Sequence, residues 1–444
     1  MRRRWAVMIA VWGMATVAAA QDKLSLAAAM QRARARAGEV VAAQSRAEAA
    51  QARTTQARAF RLPSIKLEEM WISTDSPAEA FALRLNQERF AFADFMNADP
   101  NRPNTLDTAI TRLEVSMPLY TGGELAGRIA QAQLAADAAR SQQTWAGNMA
   151  ALAAADAYVM LDQAQELASL LERARDTVKA HVELARAYVD EGMLVRSELL
   201  RAEVELARVE DLLEEARGRV RVAGANLAYR LGVEQTAVFE LDPLPAPAPL
   251  DEELRGWLAS AAERQDLAAA RQLLRAGELE EGVRRAAFLP RIGVVARGDL
   301  VDDSLFGGHG GSTAVMAVAS LNLFAGGADR AAAAAARFDA GAGRADVQRF
   351  EEGVRLEVQQ AYEQAATARA RHLTAGKALA AAREAERITE ERFRTGVVKM
   401  LDLLDASTAR REAETRELVA RAEAHAASLR LAVRAGRAPE SVVR

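Results

Sequence analysis

Two double glycines, Gly122-Gly123 and Gly326-Gly327, stand 204 residues apart, and two later glycines, Gly192 and Gly396, stand 204 apart as well. The chain is therefore written twice, and in each copy 70 residues separate the first glycine of the pair from the later one. Such a repeat defines the unit that must be stacked or closed. Proline clashes with the preceding helical turn and removes a donor. All eleven prolines avoid residues 119–242 and 291–438. Those tracts are rich in Ala, Leu, Glu and Arg, which favour helix, and structureless stretches of that length are implausible in an ordered protein. At ~1.5 Å of rise per residue, the spacing predicts a rod of roughly 100 Å in each copy. Val195, Leu199, Ala202, Leu206, Val209, Leu213, Ala216, Val220, Ala223 and Leu227 step by four and three, a seam for packing helix on helix.

Before each double glycine the hydrophobic period changes to two. Leu113, Val115, Met117 and Leu119 alternate with Arg112, Glu114 and Ser116, and Val315, Ala317, Ala319, Leu321 and Leu323 repeat the pattern. Ile65, Leu67 and Trp71 carry a weaker version after Pro63. Alternation with one apolar face describes strands that are wet on one side. Strands are expected at 63–73, 108–119, 290–301 and 313–324. The fold class is α+β, mainly long α-helices, in an internally duplicated chain. The first repeat covers 21–241 and the second 254–435, each read as helix, strand, loop, strand, long helix, tip near 192 or 396, and returning helix. The proline-rich 242–253 is a linker, and 436–444 is a tail. Trp71, Tyr120 and Phe324 fall where a barrel sets aromatics at the membrane interface. Gly122, Gly123, Gly326 and Gly327 supply positive φ at the strand-to-helix junctions.

The first residues, MRRRWAVMIAVWGMATVAAA, combine a basic start, a short apolar run and a small-residue exit, so residues 1–20 are expected to be a secretory signal. The chain has no cysteine, so no lipoprotein anchor, disulfide or thiolate metal site is expected. Its 58 basic and 61 acidic side chains give a net charge of −3, which loss of Arg2, Arg3 and Arg4 takes to −6. That balance argues against nucleic acid, which needs a basic footprint. His181, His309, His372 and His425 show no ligand spacing. FGGHGGS, 306–312, lacks the Lys-Ser/Thr ending of a phosphate loop and reads as the turn between two strands. No cofactor or catalytic residue is expected. Four strands of about the 9–11 residues that cross a bilayer cannot close on themselves, and lipid tolerates no open sheet edge. Several copies must share one wall.

PLYTGG and NLFAGG, the fixed spacing to DEGMLVRSELLRAE and TGVVKMLDLLDAST, and the helix–proline–strand starts RLPSI and FLPRI resemble the TolC-type outer-membrane efflux channel family across nearly all of the chain after residue 20. The resemblance implies a homotrimer in the outer membrane of a Gram-negative envelope. Its twelve-stranded β-barrel would continue into a periplasmic α-helical barrel. It also implies two partners, a periplasmic adaptor (membrane fusion protein) and an inner-membrane transporter, serving efflux or type I secretion.

Asp402 and Asp405, three apart on one helical face, match acids that the family sets around its periplasmic entrance. Glu198 matches an acidic position in the first hairpin. In the best-known members that acid joins a tyrosine and an arginine, where this chain has Phe393 and Val398; Lys399 or Arg196 is the candidate replacement. The tight turns at Gly192, Met193, Leu194 and Gly396, Val397, Val398 are expected to dock the adaptor. The first copy carries an insertion, 75–107, whose Phe81, Leu85, Phe90, Phe92 and Phe95 are expected to pack as a short helix against the barrel mouth, the alternative being a lid over it. The competing reading of the whole chain is a soluble periplasmic coiled-coil adaptor.

Overall fold

The computed structural model describes residues 23–442 apart from 94, 95, 97, 98, 100 and 248. The expected signal at 1–20, the end of the tail and Phe95 lie outside those residues. In chain order the elements are α1 (Leu26–Arg36), α2 (Gly38–Ala59), β1 (Ser64–Thr74), α3 (Pro77–Asn86), β2 (Leu106–Tyr120), α4 (Glu124–Asp190) and α5 (Arg196–Leu231). There follow α6 (Leu254–Ala261), α7 (Gln265–Arg285), β3 (Arg291–Asp302), β4 (Gly310–Ser320), α8 (Ala328–Arg394) and α9 (Met400–Arg434). Helices α4 and α8 are both 67 residues long, and both of their ends keep the 204-residue offset. The duplication extends to backbone angles. Gly123 and Gly327 both have φ of 88°, and Gly192 and Gly396 have 73° and 74°.

The strands form one antiparallel sheet in the order β1-β2-β3-β4. Strand partners share a face, as do residues two apart. The ladders Leu67↔Leu113, Val115↔Ala296 and Ala296↔Val315 therefore lie on one side with Ile65, Trp71 and Leu300. The other side carries two rows of alternating charge, Lys66–Glu114–Arg297 and Glu68–Arg112–Asp299. Within the second row Arg112 Nε donates to Asp299 Oδ1 at 2.7 Å. The apolar side is open, with Ile65, Leu67 and Val315 all more than 60% exposed.

Strand β4 corrects one expectation. It covers Gly310–Ser320 and ends where β3 begins, at Arg291↔Ser320, so 321–324 have no ladder partner on that side. Phe324 lies beyond the strand and is 85% exposed. The first copy runs further because Tyr120 pairs with Ile292 across a bulge. FGGHGGS is also shared differently, since its last three residues belong to β4.

Helix α4 packs against α5 and, toward the sheet, against α2 and α7; α8 packs against α9 and α7. The expected seam on α5 is buried at Ala202, Val209, Leu213, Ala216 and Leu227. Val195 departs from it as the exposed residue capping the helix start. At the waist, Leu24, Met30, Ala151, Tyr158, Leu227 and Leu429 share a core. Tyr158 Oη lies 2.8 Å from the Leu24 carbonyl and 2.7 Å from that of Asp242, tying the linker to α4. Arg264 is buried there against the Trp145 ring, its guanidinium paired with Asp266 at 2.7 Å and Glu357 at 3.0 Å.

Candidate functional site

The two helical hairpins end at one place. At the end of α4, Gly192 donates to Val189 O and Met193 to Tyr188 O; at the end of α8, Gly396 donates to Phe393 O and Val397 to Arg392 O. These are Schellman caps, which need a left-handed residue after the helix and use glycine to supply it without strain. Both turns then re-enter helix within a few residues, so each tip is short.

Beneath the turns the hairpins share a core of Val182, Ala185, Ala202, Phe393, Met400, Leu403 and Leu404, with Tyr188, Leu194, Leu199, Leu206 and Val398 packed on it. Phe393, expected at the entrance, sits within this core. It is 5% exposed, and its ring lies 6.2 Å from that of Tyr188, because an aromatic at that helical position points between the hairpins. The tip residues divide evenly between two roles. Met193 and Val397 are 61% and 62% exposed, while Leu194 and Val398 lean into the shared core.

Asp402 and Asp405 are exposed on the face of α9 opposite the buried Leu403 and Leu404. Asp402 Oδ2 accepts from the Lys399 backbone N–H at 2.9 Å, so the carboxylate also caps the helix. Glu198, the matching position on α5, is half-buried and its Oε2 has no hydrogen-bond partner among the described residues. Neither Arg196 nor Lys399, both exposed, supplies that bond within the chain.

A buried ion pair also joins the hairpins. Arg411 on α9 donates to Glu205 on α5 at 2.7 Å, with side chains only 7% and 14% exposed. Its signal was available: Leu404, Ser407, Arg411, Leu418, Ala422, His425 and Leu429 step mostly by three, four or seven along α9, and all are buried. A charged residue on such a seam demands a partner across the helix interface.

At the other end, Gly122 meets the turn before β3. A side chain there would lie 2.8 Å from both Ala286 O and Leu289 Cβ. The repeat-related Gly326 has nothing within 4 Å. The repeat-related partner of Leu289 is Leu62, which is 64% exposed beside an equally open Phe60.

Among the described residues no group of His, Asp and Glu could hold a metal ion, and no helix is long and apolar enough to cross a membrane. A two-faced sheet with open edges, fused to duplicated hairpins of matched length, defines a protomer of the barrel-and-tunnel class. The chain belongs to the outer membrane efflux protein family, which matches residues 29–233 and 259–437, one block in each copy. It is 25% identical over 304 residues to the outer membrane efflux protein BepC of Brucella suis biovar 1 (strain 1330), covering 67% of this chain and 66% of that protein. Its fold is that of the outer membrane protein VceC of Vibrio cholerae, with a TM-score of 0.75, 20% identity and coverage of 93% of this chain and 96% of that one. It is also that of the MtrE outer membrane channel of Neisseria gonorrhoeae in its open state, with a TM-score of 0.74, 20% identity and coverage of 94% and 90%. The protein is an outer membrane protein.

Proposed function

We propose that three copies of this chain close one barrel and one helical tunnel, forming the outer duct of a tripartite efflux or type I secretion system. The observation that carries this is the unmatched half of the duplication. Inside the chain, β2 pairs with β3 and Leu289 covers Gly122. The same contact is offered again by β4 with Gly326 and by β1 with Leu62, but on opposite flanks of one molecule. Head-to-tail surfaces of this kind generate rings when the rotation closes, and lipid requires closure. Three copies follow from the family resemblance.

The duct performs no catalysis; energy comes from an inner-membrane transporter acting through a periplasmic adaptor. Exposed Met193 and Val397 at the turns are the docking points for that adaptor. Threefold symmetry gathers Asp402 and Asp405 into six carboxylates around the axis, which attract cations at the periplasmic entrance. The soluble-adaptor reading is disfavoured by the broad exposed apolar face of the sheet.

Planar-bilayer recording of the purified protein tests both parts. The wild type is expected to conduct with cation preference and divalent block, and Asp402→Ala with Asp405→Ala to weaken both. An unchanged profile in the double variant sinks the entrance role. A wild type that stays monomeric in mild detergent and silent in the bilayer sinks the duct.

A further inference from the structure

Helix α3 stands on the charged side of the sheet. Leu83 packs with Ile110 and Val301, and Ile72 and Leu106 join them. In the ladders Ile110 pairs with Met70 and with Val301, and Ile72 with Thr108. These residues share a face with Glu68, Arg112 and Asp299, two positions along their strands, and not with Leu67 or Leu113. The attachment is built from several parts. Gln87, 2% exposed, donates from Nε2 to Thr108 Oγ1 at 2.9 Å, and Thr108 is fully buried. Arg89 Nη2 reaches Asp302 Oδ1 at 2.8 Å. On β4, a side chain at Gly310 would come within 1.9 Å of the Asn86 carbonyl, so the strand is bare where the end of α3 rests.

We infer that α3 is an inward-folded loop segment that narrows the outer mouth of the duct and acts as a second, apolar filter on cargo leaving it. The inference rests on the barrel reading. Once the sheet closes with Ile65, Leu67, Trp71 and Leu113 toward lipid, the charged face lines the water-filled interior. A helix seated on that face lies inside the wall. With its side chains a helix is ~10–12 Å across, so three of them occupy much of the opening. Phe81 and Leu85 remain 42% and 45% exposed on α3. Cargo thus crosses charge-balanced rows, where + − + faces − + −, and then an apolar threshold. That order suits amphipathic molecules of modest size and turns back bulky polar solutes from outside.

The cysteine-free chain makes the test clean. Glu114→Cys places one thiol in the charged row, and a bulky polyethylene glycol maleimide is applied to intact cells from outside. Leu83→Asp, which unseats α3, is expected to speed labelling several-fold and to raise single-channel conductance about two-fold or more, because the narrowest outer section widens. Gln87→Ala removes only the bond to Thr108 and is expected to fall between. If Leu83→Asp fails to assemble, Gln87→Ala decides. Equal labelling and conductance in assembled wild type and variant overturn the inference while leaving the duct intact. A wild type that forms no channel overturns both.

Discussion

Asp162 on α4 lies half-buried beside Glu166 and Arg421, and burial, reinforced by Glu166 and opposed by Arg421, lifts its carboxyl to about 6. A carboxyl with a folded value above its unfolded one holds its proton more tightly in the folded state. The stability it lends is fully present below the unfolded value of about 3.9 and is lost as pH rises through about 6. Thermal stability should therefore decline across that window, and Asp162→Asn should flatten the decline. Unfolding curves of both proteins at each pH are the measurement, and parallel pH slopes would refute the assignment. Burial lowers the His425 imidazole, which acts in the opposite sense, so the difference between the two proteins is the quantity to read. Among single residues, the shared face of Asp402 and Asp405 was legible because a three-residue step fixes it whatever packs behind it. The packing of Phe393 was not, since Tyr188, the ring beside it, lies in the other copy of the repeat. The Asp162 shift was not legible either, because spacing shows Glu166 four residues on but not the burial that lifts the carboxyl.

Elements were legible to the extent that they are governed by local signals. Proline-free tracts, glycine turns and period-two runs set the helices and strands within a few residues. β4 slipped because a strand ends where its neighbour ends, and alternation through Leu321 and Leu323 continues past that point. Helix-to-helix contacts were legible as seams, but the polar members of the α9 seam were not. The Glu205–Arg411 pair makes a prediction at this scale. Removing one partner strands a buried charge, so Arg411→Ala should cost about 3–5 kcal/mol. Replacing both residues by leucine and methionine of similar volume should recover most of that loss. Thermal unfolding of the single and double variants measures the difference, and a loss equal in both would mean that the pair is not coupled.

The whole molecule is one third of the proposed ring, and the internal seam predicts the external one. Inside the chain Leu113 faces Gly298. Shifting Leu113 by the 204-residue offset gives Ala317, and aligning Pro290 with Pro63 brings Trp71 into the place of Gly298. Both lie on the apolar face, as the pairing requires. Trp71→Cys with Ala317→Cys should therefore cross-link neighbouring copies on mild oxidation, giving a covalent trimer on denaturing gels, since side chains facing across a ladder stand ~4.5–5.5 Å apart. Ala317→Cys alone should remain a single-chain band. A double variant that stays uncrosslinked in assembled trimer would mean a different register. Closure was legible from strand number alone. The identity of the mating surfaces was not, because it depends on which glycine is covered and which lies open.

The vacant notch at Gly326 and the two raw strand edges carry a cost before assembly. A lone chain in transit to its membrane offers unpaired backbone to any extended segment it meets, and wrong pairing there is as favourable, bond for bond, as the right one. Copies delivered faster than they can find one another will therefore clump instead of inserting. The rate of synthesis, as much as the final fit, governs how many finished assemblies a cell obtains.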